Sequence, residues 1–181
     1  AEMEEIGMTR RQRAETKIQE ASGDAWTLYN GDCVEVLDQL PEDCADLSVY
    51  SPPFMSLFTY TNSERDIGNC STRAEFLEHF GYVVRGLLRA TKPGRITCCH
   101  ISQVATTLST HGVIGLADLR GAAIECFVAN GWVYHGDICI DKDPQAQAIR
   151  THAKGLLFVQ LKKDASWLRP GLADYILVFR K

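Results

Sequence analysis

Short apolar segments alternate with amphipathic segments of helical period along this chain of 181 residues, and this alternation limits the folds open to it. The predicted strands are residues 26–29, 45–50, 95–101, 132–140 and 174–180. The predicted helices are residues 3–20, 33–40, 72–90 and 118–130, with a further candidate around residues 145–160. Strands that alternate with helices are typical of an α/β domain with a largely parallel sheet.

Residues at the helix starts support these boundaries. Asp32 and Glu35 have the spacing of a capping box, in which the first side chain accepts hydrogen bonds from the helix N-terminus. Thr72 and Glu75 repeat this spacing before the longest predicted helix. Both helices are therefore expected to begin directly after Asp32 and Thr72.

Composition and hydropathy exclude several classes of protein. A hydrophobic content of 45% is enough to bury a core, and no run approaches the roughly 18 apolar residues that a membrane helix needs. Residues 1–20 also lack the apolar stretch of a signal peptide. The seven cysteines include no CxxC pair, and the five histidines show no ligand spacing. We expect reduced cysteines, no metal site and a cytoplasmic protein.

The charge distribution separates the end of the chain from the rest. Residues 142–181 contain eight Lys or Arg and three Asp, whereas the remaining residues are acidic overall. A basic segment of this kind is compatible with a polyanionic partner, although it is equally compatible with a solvated surface. We expect residues 26–181 to form one domain, preceded by an N-terminal arm or helix over residues 1–25.

The tetrapeptide Ser51-Pro52-Pro53-Phe54 follows a predicted strand and is the strongest candidate site. Proline has no backbone N–H, so the strand ladder must end here. The carbonyls of Ser51 and Pro52 and the Ser51 hydroxyl provide hydrogen-bond acceptors, and Phe54 provides a flat apolar face. Such a group suits a planar ligand that carries an NH2 group. The alternative is that the two prolines only terminate the strand.

Four segments, residues 30–40, 46–54, 92–95 and 174–181, resemble in this order the catalytic region of amino-group DNA methyltransferases that use S-adenosylmethionine. The similarity is greatest to the permuted beta-type enzymes, which are specific for cytosine or adenine. The resemblance implies a Rossmann-like methyltransferase sheet that acts on double-stranded DNA. It also implies that the tetrapeptide binds the target amine of a flipped base, with the aromatic ring stacked on that base, and that methyl transfer is direct.

The resemblance also implies roles for individual residues. The catalytic residues would be Ser51, Pro52, Pro53 and Phe54, and S-adenosylmethionine would be bound by Asp32, Cys33 and Ser51. DNA would be contacted by Arg65, Asn69, Lys142, Arg150 and Lys154. A helix cap is the alternative role for Asp32, and a solvated loop is the alternative for the basic segment. Serine at the first position of the tetrapeptide favours cytosine N4 over adenine N6. Carbon-5 methylation is set aside because no Pro-Cys dipeptide occurs.

The chain departs from the family in one respect. The family's glycine-rich loop, which approaches the methionine part of the cofactor, has no counterpart after a predicted strand. The sheet is therefore expected to be incomplete, with an exposed edge that would favour association, including a homodimer. The open alternatives are a fragment of a longer enzyme, a cofactor site completed by a second polypeptide, a silent DNA-binding or oligomerisation module, and a methyltransferase acting on RNA or a protein amide.

Overall fold

The computed structural model of the chain describes residues 18–55, 59–106, 112–113, 115–143, 146 and 173–181. The strands in these residues are β1 (Gln19–Gly23), β2 (Trp26–Asn30), β3 (Ala45–Tyr50), β4 (Thr91–Ser102), β5 (Val104–Thr106), β6 (Gly115–Ala117), β7 (Val133–Ile140) and β8 (Asp174–Arg180). The helices are α1 (Cys33–Gln39), α2 (Arg73–Ala90) and α3 (Leu119–Ala129), with a short 3-10 helix at Ile67–Asn69. Most predicted elements are present within one or two residues of their expected ends.

The main sheet has four strands in the order β3-β4-β8-β7. Strands β3 and β4 are parallel, whereas β8 is antiparallel to both of its neighbours, β4 and β7. Three of the four strands therefore run in one direction, which agrees with the predicted α/β class. The expectation of a largely parallel sheet was wrong for the described strands, because β8 lies between β4 and β7 and makes two of the three strand pairs antiparallel. The carboxyl ends of β3 and β4 lie at the same edge of the sheet, where β8 begins with Asp174 opposite Ser102.

Helices α2 and α3 cover one face of this sheet and form the core with it. Phe127 of α3 stacks on Phe179 of β8 with ring centroids 3.9 Å apart, and Phe80 of α2 meets Phe127 edge-on. Ile101 and Leu177 are also fully buried on this face. Aromatic and branched side chains that interdigitate in this way provide most of the apolar burial that stabilises the domain.

The opposite face of the sheet is open within the described residues. Successive side chains of a strand point to opposite faces, so Leu47 and Val49 lie away from the helices. Their exposed fractions are 55% and 68%, and Ile138 on β7 is 57% exposed. Strand β3 is also the edge of the sheet, so one side of its backbone is unpaired in this part of the chain.

The N-terminal segment differs from its prediction. Residues 19 and 20 were expected to end a helix, but they begin β1. This strand forms an antiparallel hairpin with β2, in which Gln19 pairs with Asn30 and Gly23 pairs with Trp26. The segment 19–23 is polar and has no apolar face to pack, so pairing with β2 provides its backbone hydrogen bonds. The expected domain boundary at residue 25 falls in the turn of this hairpin. Residues 1–17 lie outside the described part.

Two further predictions of connecting segments were wrong. Residues 102–116 were expected to form a loop, but β5 and β6 form an antiparallel pair there. Val104 pairs with Ala117, and Thr106 pairs with Gly115. Strand β4 begins at residue 91, four residues early, because Thr91 pairs with Ala45 before an irregular register. The helix expected around residues 145–160 lies outside the described residues, apart from residue 146. No described helix is both long enough and apolar enough to span a membrane.

Candidate active site

The strand directions bring three polar side chains together at the carboxyl edge of the sheet. Ser51 directly follows β3, and His100 lies near the carboxyl end of the parallel strand β4. Asp174 is the first residue of β8, and the antiparallel register places it beside this end of β4. Ligands of open α/β sheets bind outside the carboxyl ends of the strands, so this edge is the expected position for a site.

These three residues form a chain of hydrogen bonds. The Ser51 Oγ atom lies 3.1 Å from His100 Nδ1 and 3.3 Å from the His100 carbonyl oxygen. On the other side of the ring, His100 Nε2 lies 3.0 Å from Asp174 Oδ2. The Ser51 hydroxyl is exposed at the start of this chain, and the carboxyl group is buried at its end.

A lysine completes the electrostatics of this cluster. Lys142 Nζ forms an ion pair with Asp174 Oδ2, the same oxygen that contacts His100. Burial raises the pKa of the Asp174 carboxyl, but interactions with Lys142, Ser102 and His100 outweigh burial and hold this pKa below its ordinary value. The carboxylate is therefore ionised at neutral pH, with a cation on one side and the imidazole on the other.

The remainder of the predicted tetrapeptide lies between this cluster and the core. Pro52 is buried, while Pro53 and Phe54 are half-buried. The Phe54 ring packs against the core, and its centroid lies 5.8 Å from that of His100, with the ring planes inclined at 56°. Contacts on two sides fix the orientation of Phe54, so this ring forms a rigid wall next to Ser51.

An open cavity of about 630 Å³ lies in front of Ser51. Besides Ser51 and Pro53, its lining includes Asp32 at the start of α1 and Arg65 in the loop that follows the tetrapeptide. The structure therefore brings together, in one cavity, residues from the predicted catalytic, cofactor-binding and DNA-binding groups. Cavities of a few hundred Å³ hold ligands of nucleoside size.

Asp32 has the capping role that the sequence predicts and a second contact as well. Its Oδ1 atom accepts hydrogen bonds from the backbone N–H groups of Val34 (2.9 Å) and Glu35 (3.4 Å). Its Oδ2 atom lies 3.0 Å from Arg65 Nε, and the Arg65 guanidinium also contacts Glu35 at 2.5 Å. Cys33 is the exposed residue next to Asp32 and lies outside the cavity lining.

The loop that carries Arg65 is held by its own polar groups. The carboxylate of Asp66 accepts hydrogen bonds from the backbone N–H groups of Tyr60, Thr61 and Gly68 at 2.7 to 3.0 Å. Burial raises the pKa of this carboxyl, but these hydrogen bonds outweigh it and lower the pKa overall. Asn69 donates to two carbonyl oxygens of the same loop, so its amide stabilises the loop and a DNA contact stays a prediction.

The predicted basic segment is described only at its start. Lys142 points into the Ser51 cluster through its ion pair with Asp174, and a DNA contact through it stays a prediction. Arg150 and Lys154 lie outside the described residues. The sequence patterns do not single out His100 as a site residue, because the five histidines show no ligand spacing. Its position at the end of a predicted strand, like that of Ser51, was the available signal.

Comparison with known proteins supports the fold. No protein-family profile and no curated protein matches this chain. Among solved structures, the chain is similar to a protein of Thermus thermophilus that is inferred to be a DNA modification methylase. The identity is 22%, the match covers 83% of this chain and 52% of that one, and the TM-score is 0.58. The same protein complexed with S-adenosyl-L-methionine gives the same identity and TM-score.

A second similar structure is the cytosine-N4-specific PvuII DNA methyltransferase. It shares 16% identity, covers 83% of this chain with 47% of its own length, and has a TM-score of 0.57. The sequence resemblance to amino-group DNA methyltransferases is therefore confirmed at the level of the fold, which is the Rossmann-like methyltransferase fold. The chain spans about half the length of these structures.

Proposed function

We propose that this chain carries the target-amine site of a DNA methyltransferase, which transfers a methyl group from S-adenosylmethionine to the exocyclic amino group of a flipped base in double-stranded DNA. The observation that carries the proposal is the position of Ser51-Pro52-Pro53-Phe54 at the carboxyl end of β3, where Ser51 and Pro53 line an open cavity. The cytosine amino group is favoured over that of adenine because the tetrapeptide begins with serine.

The residues of the cluster suit an amine substrate. The Ser51 hydroxyl is held by His100, and its lone pairs can accept a hydrogen bond from an NH2 group. Phe54 provides a face for a base that has left the stack, and unstacking costs a few kcal/mol that such a contact offsets. Orienting the amine in this way directs its lone pair toward an electrophile without a covalent enzyme intermediate.

The described residues fit S-adenosylmethionine in part. The cofactor supplies a methyl group on a positively charged sulfur. Asp32 is the residue that would hold it, because its carboxylate lines the cavity in front of Ser51. One carboxylate oxygen caps α1 and the other pairs with Arg65, and the remaining lone pair of that second oxygen can accept from a cofactor hydroxyl. Other cofactor contacts would come from outside the described residues.

The proposal is tested by incubating the chain with methyl-labelled S-adenosylmethionine and unmethylated duplex DNA. We expect label in the DNA, and we expect the double variant Ser51→Ala, Phe54→Ala to lose it while its circular dichroism spectrum is unchanged. Ser22→Ala, in the β1–β2 hairpin, is the matched control and should transfer label at the wild-type rate. Equal transfer by the double variant and the control would contradict the assignment, as would a folded wild-type chain that transfers no label.

RNA and protein amides are the competing substrates, because the same cradle would accept their NH2 groups. Adding RNA, or a peptide that contains Asn and Gln, to the labelled reaction distinguishes these cases. We expect label in the DNA at every ratio of competitor. Transfer of the label to the RNA or peptide would replace the proposed substrate.

A further inference from the structure

We infer that His100, oriented by Asp174, takes up through the Ser51 hydroxyl the proton that the target amine releases. This inference rests on the proposed function. His100 acts through Ser51 and is therefore a positioning residue with a role in proton transfer. The methyl transfer proposed above needs such an acceptor, and the His100 ring contacts Ser51, which lines the cavity.

The ionised carboxylate of Asp174 sets the direction of the hydrogen bond at His100 Nε2. Asp174 is ionised, so its Oδ2 atom accepts, and His100 Nε2 at 3.0 Å must carry the hydrogen. In a neutral imidazole the other ring nitrogen is then an acceptor. His100 Nδ1 can then accept the single hydroxyl hydrogen of Ser51 at 3.1 Å, in place of the His100 carbonyl oxygen at 3.3 Å, to which the same hydroxyl can also donate. The Ser51 oxygen keeps its lone pairs for an N–H of the amine.

The proton balance of the reaction follows from this arrangement. When an amine nitrogen bonds to the methyl carbon of a sulfonium donor, the carbon–sulfur bond breaks and its electron pair stays on sulfur. The nitrogen then releases one proton. That proton passes to Ser51 Oγ as the hydroxyl proton passes to His100 Nδ1, so serine is unchanged and the imidazole becomes an imidazolium. The carboxylate of Asp174 stabilises that positive charge.

Lys142 pairs with Asp174, the carboxylate that orients His100. Among the residues that the structure describes, the charged side chains in contact with His100 or with Asp174 are Asp174 itself and Lys142, while Ser51, Phe54 and the backbone of β8 provide uncharged contacts. Lys142 contacts the same Asp174 oxygen as His100 Nε2 and lowers the pKa of that carboxyl, so the group that orients the imidazole is an ionised carboxylate. This role explains why Lys142 is drawn into the cluster, with only 22% of its side chain exposed.

The same order of contacts, serine to histidine to aspartate, also occurs in hydrolases that use serine as a nucleophile. Those enzymes stabilise the oxyanion with backbone N–H groups, commonly that of the residue after the serine. Here the two residues after Ser51 are Pro52 and Pro53, which have no N–H. The backbone therefore lacks this donor, and the cluster is suited to proton transfer from an amine rather than to acyl transfer.

The first test is nitrogen-15 NMR of the histidine rings in the full chain, without cofactor or DNA. We expect the His100 ring in the neutral state to be protonated on Nε2, with Nδ1 showing the shift of a hydrogen-bond acceptor. Asp174→Asn should mix the two tautomers, and Ser51→Ala should move the Nδ1 signal alone. A His100 ring protonated on Nδ1 in the wild-type chain would overturn the inference regardless of enzymatic activity.

The second test is the pH dependence of methyl transfer in His100→Gln. Glutamine can still accept from Ser51 and donate to Asp174 but cannot take up a proton, so we expect a loss of about 100-fold or more in rate. The acid limb that a proton-accepting side chain gives to a pH profile should also disappear. His135→Gln, on the exposed part of β7 at the other end of the sheet, is the matched control with wild-type behaviour.

The outcomes separate the two proposals. A wild-type rate and an unchanged acid limb in His100→Gln would overturn the role of His100 and leave the proposed function intact. Absence of transfer by the wild-type chain would overturn both. A loss of rate with an unchanged acid limb would assign His100 a purely structural role and would also overturn the inference.

Discussion

The two faces of the main sheet differ in what covers them. Helices α2 and α3 bury Phe127, Phe179 and Ile101 on one face, whereas Leu47 and Val49 are more than half exposed on the other. The alternation of side chains along β3 and β4 that produces the open face continues to Ser51 and His100. The covered face therefore provides stability, and the open face leads into the candidate site.

Removing a large side chain from the covered face should have the largest effect. Phe127→Ala deletes a fully buried ring that stacks on Phe179, and we expect a loss of about 3–5 kcal/mol in the free energy of unfolding. Val49→Ala on the open face should change it by less than about 0.5 kcal/mol. Denaturant titration of both variants measures the difference. Similar losses would show that the two faces are equally important for stability.

Asp32 belongs to both regions, since it caps a helix that packs beside α2 and lines the cavity. Asp32→Ala should lower the free energy of unfolding by about 1 kcal/mol through loss of the cap. Asp32→Asn keeps the cap but loses the charge, so its stability should stay near the wild-type value while binding of S-adenosylmethionine weakens. Calorimetry of both variants tests this separation. Unchanged cofactor binding in Asp32→Asn would limit Asp32 to the capping role.

A charge on the open face should affect association more than folding. Val49→Glu adds a carboxylate at an exposed position on the edge strand, and we expect a change of less than about 0.5 kcal/mol in unfolding free energy. Edge strands and exposed apolar patches promote self-association, so this variant should show less of it in sedimentation velocity experiments. Strong destabilisation by Val49→Glu would indicate that the open face is covered in the folded chain.

The smallest effect is expected when low pH protonates a carboxyl group that caps a helix on the covered face. Asp118 caps α3, and its pKa is lowered because Gln103 donates to its side chain at 2.8 Å and Gly121 donates at 2.9 Å. A lowered pKa means that the stabilisation is present above the unfolded value of about 4 and is lost as pH falls through the folded value. Asp118→Asn should therefore show a shallower loss of stability below about pH 4 in thermal denaturation. A wild-type slope would contradict this assignment.

Local signals were enough to predict the main elements of the fold. The bounds of β3 and β8 match their predictions, because each is a short apolar run flanked by turn-forming or charged residues. The start of α2 follows from Thr72, whose hydroxyl accepts from Glu75 N as a capping box requires. The hairpin of β1 and the short pair of β5 and β6 were missed, because their hydrogen bonds depend on the pairing partner and their sequences lack strand periodicity.

The candidate site was predictable only where one segment carries it. Ser51-Pro52-Pro53-Phe54 is contiguous, so its chemistry is visible in the sequence. His100 and Asp174 are 49 and 123 residues further along the chain than Ser51, and they meet it only because β4 is parallel to β3 and antiparallel to β8. Contacts of this kind follow from sheet order, which the sequence patterns leave open.

Methylation of the exocyclic amine is best tested by mass spectrometry of nucleosides from duplex DNA treated with this chain and a methyl donor that carries a deuterated methyl group. We expect one new nucleoside, deuteromethylated on an exocyclic amine, with N4-methylcytosine favoured over N6-methyladenine and none formed by Ser51→Ala. A deuterated methyl group on carbon 5 of cytosine would contradict the account. Unmodified nucleosides, from a folded chain that binds both the donor and DNA, would also contradict it.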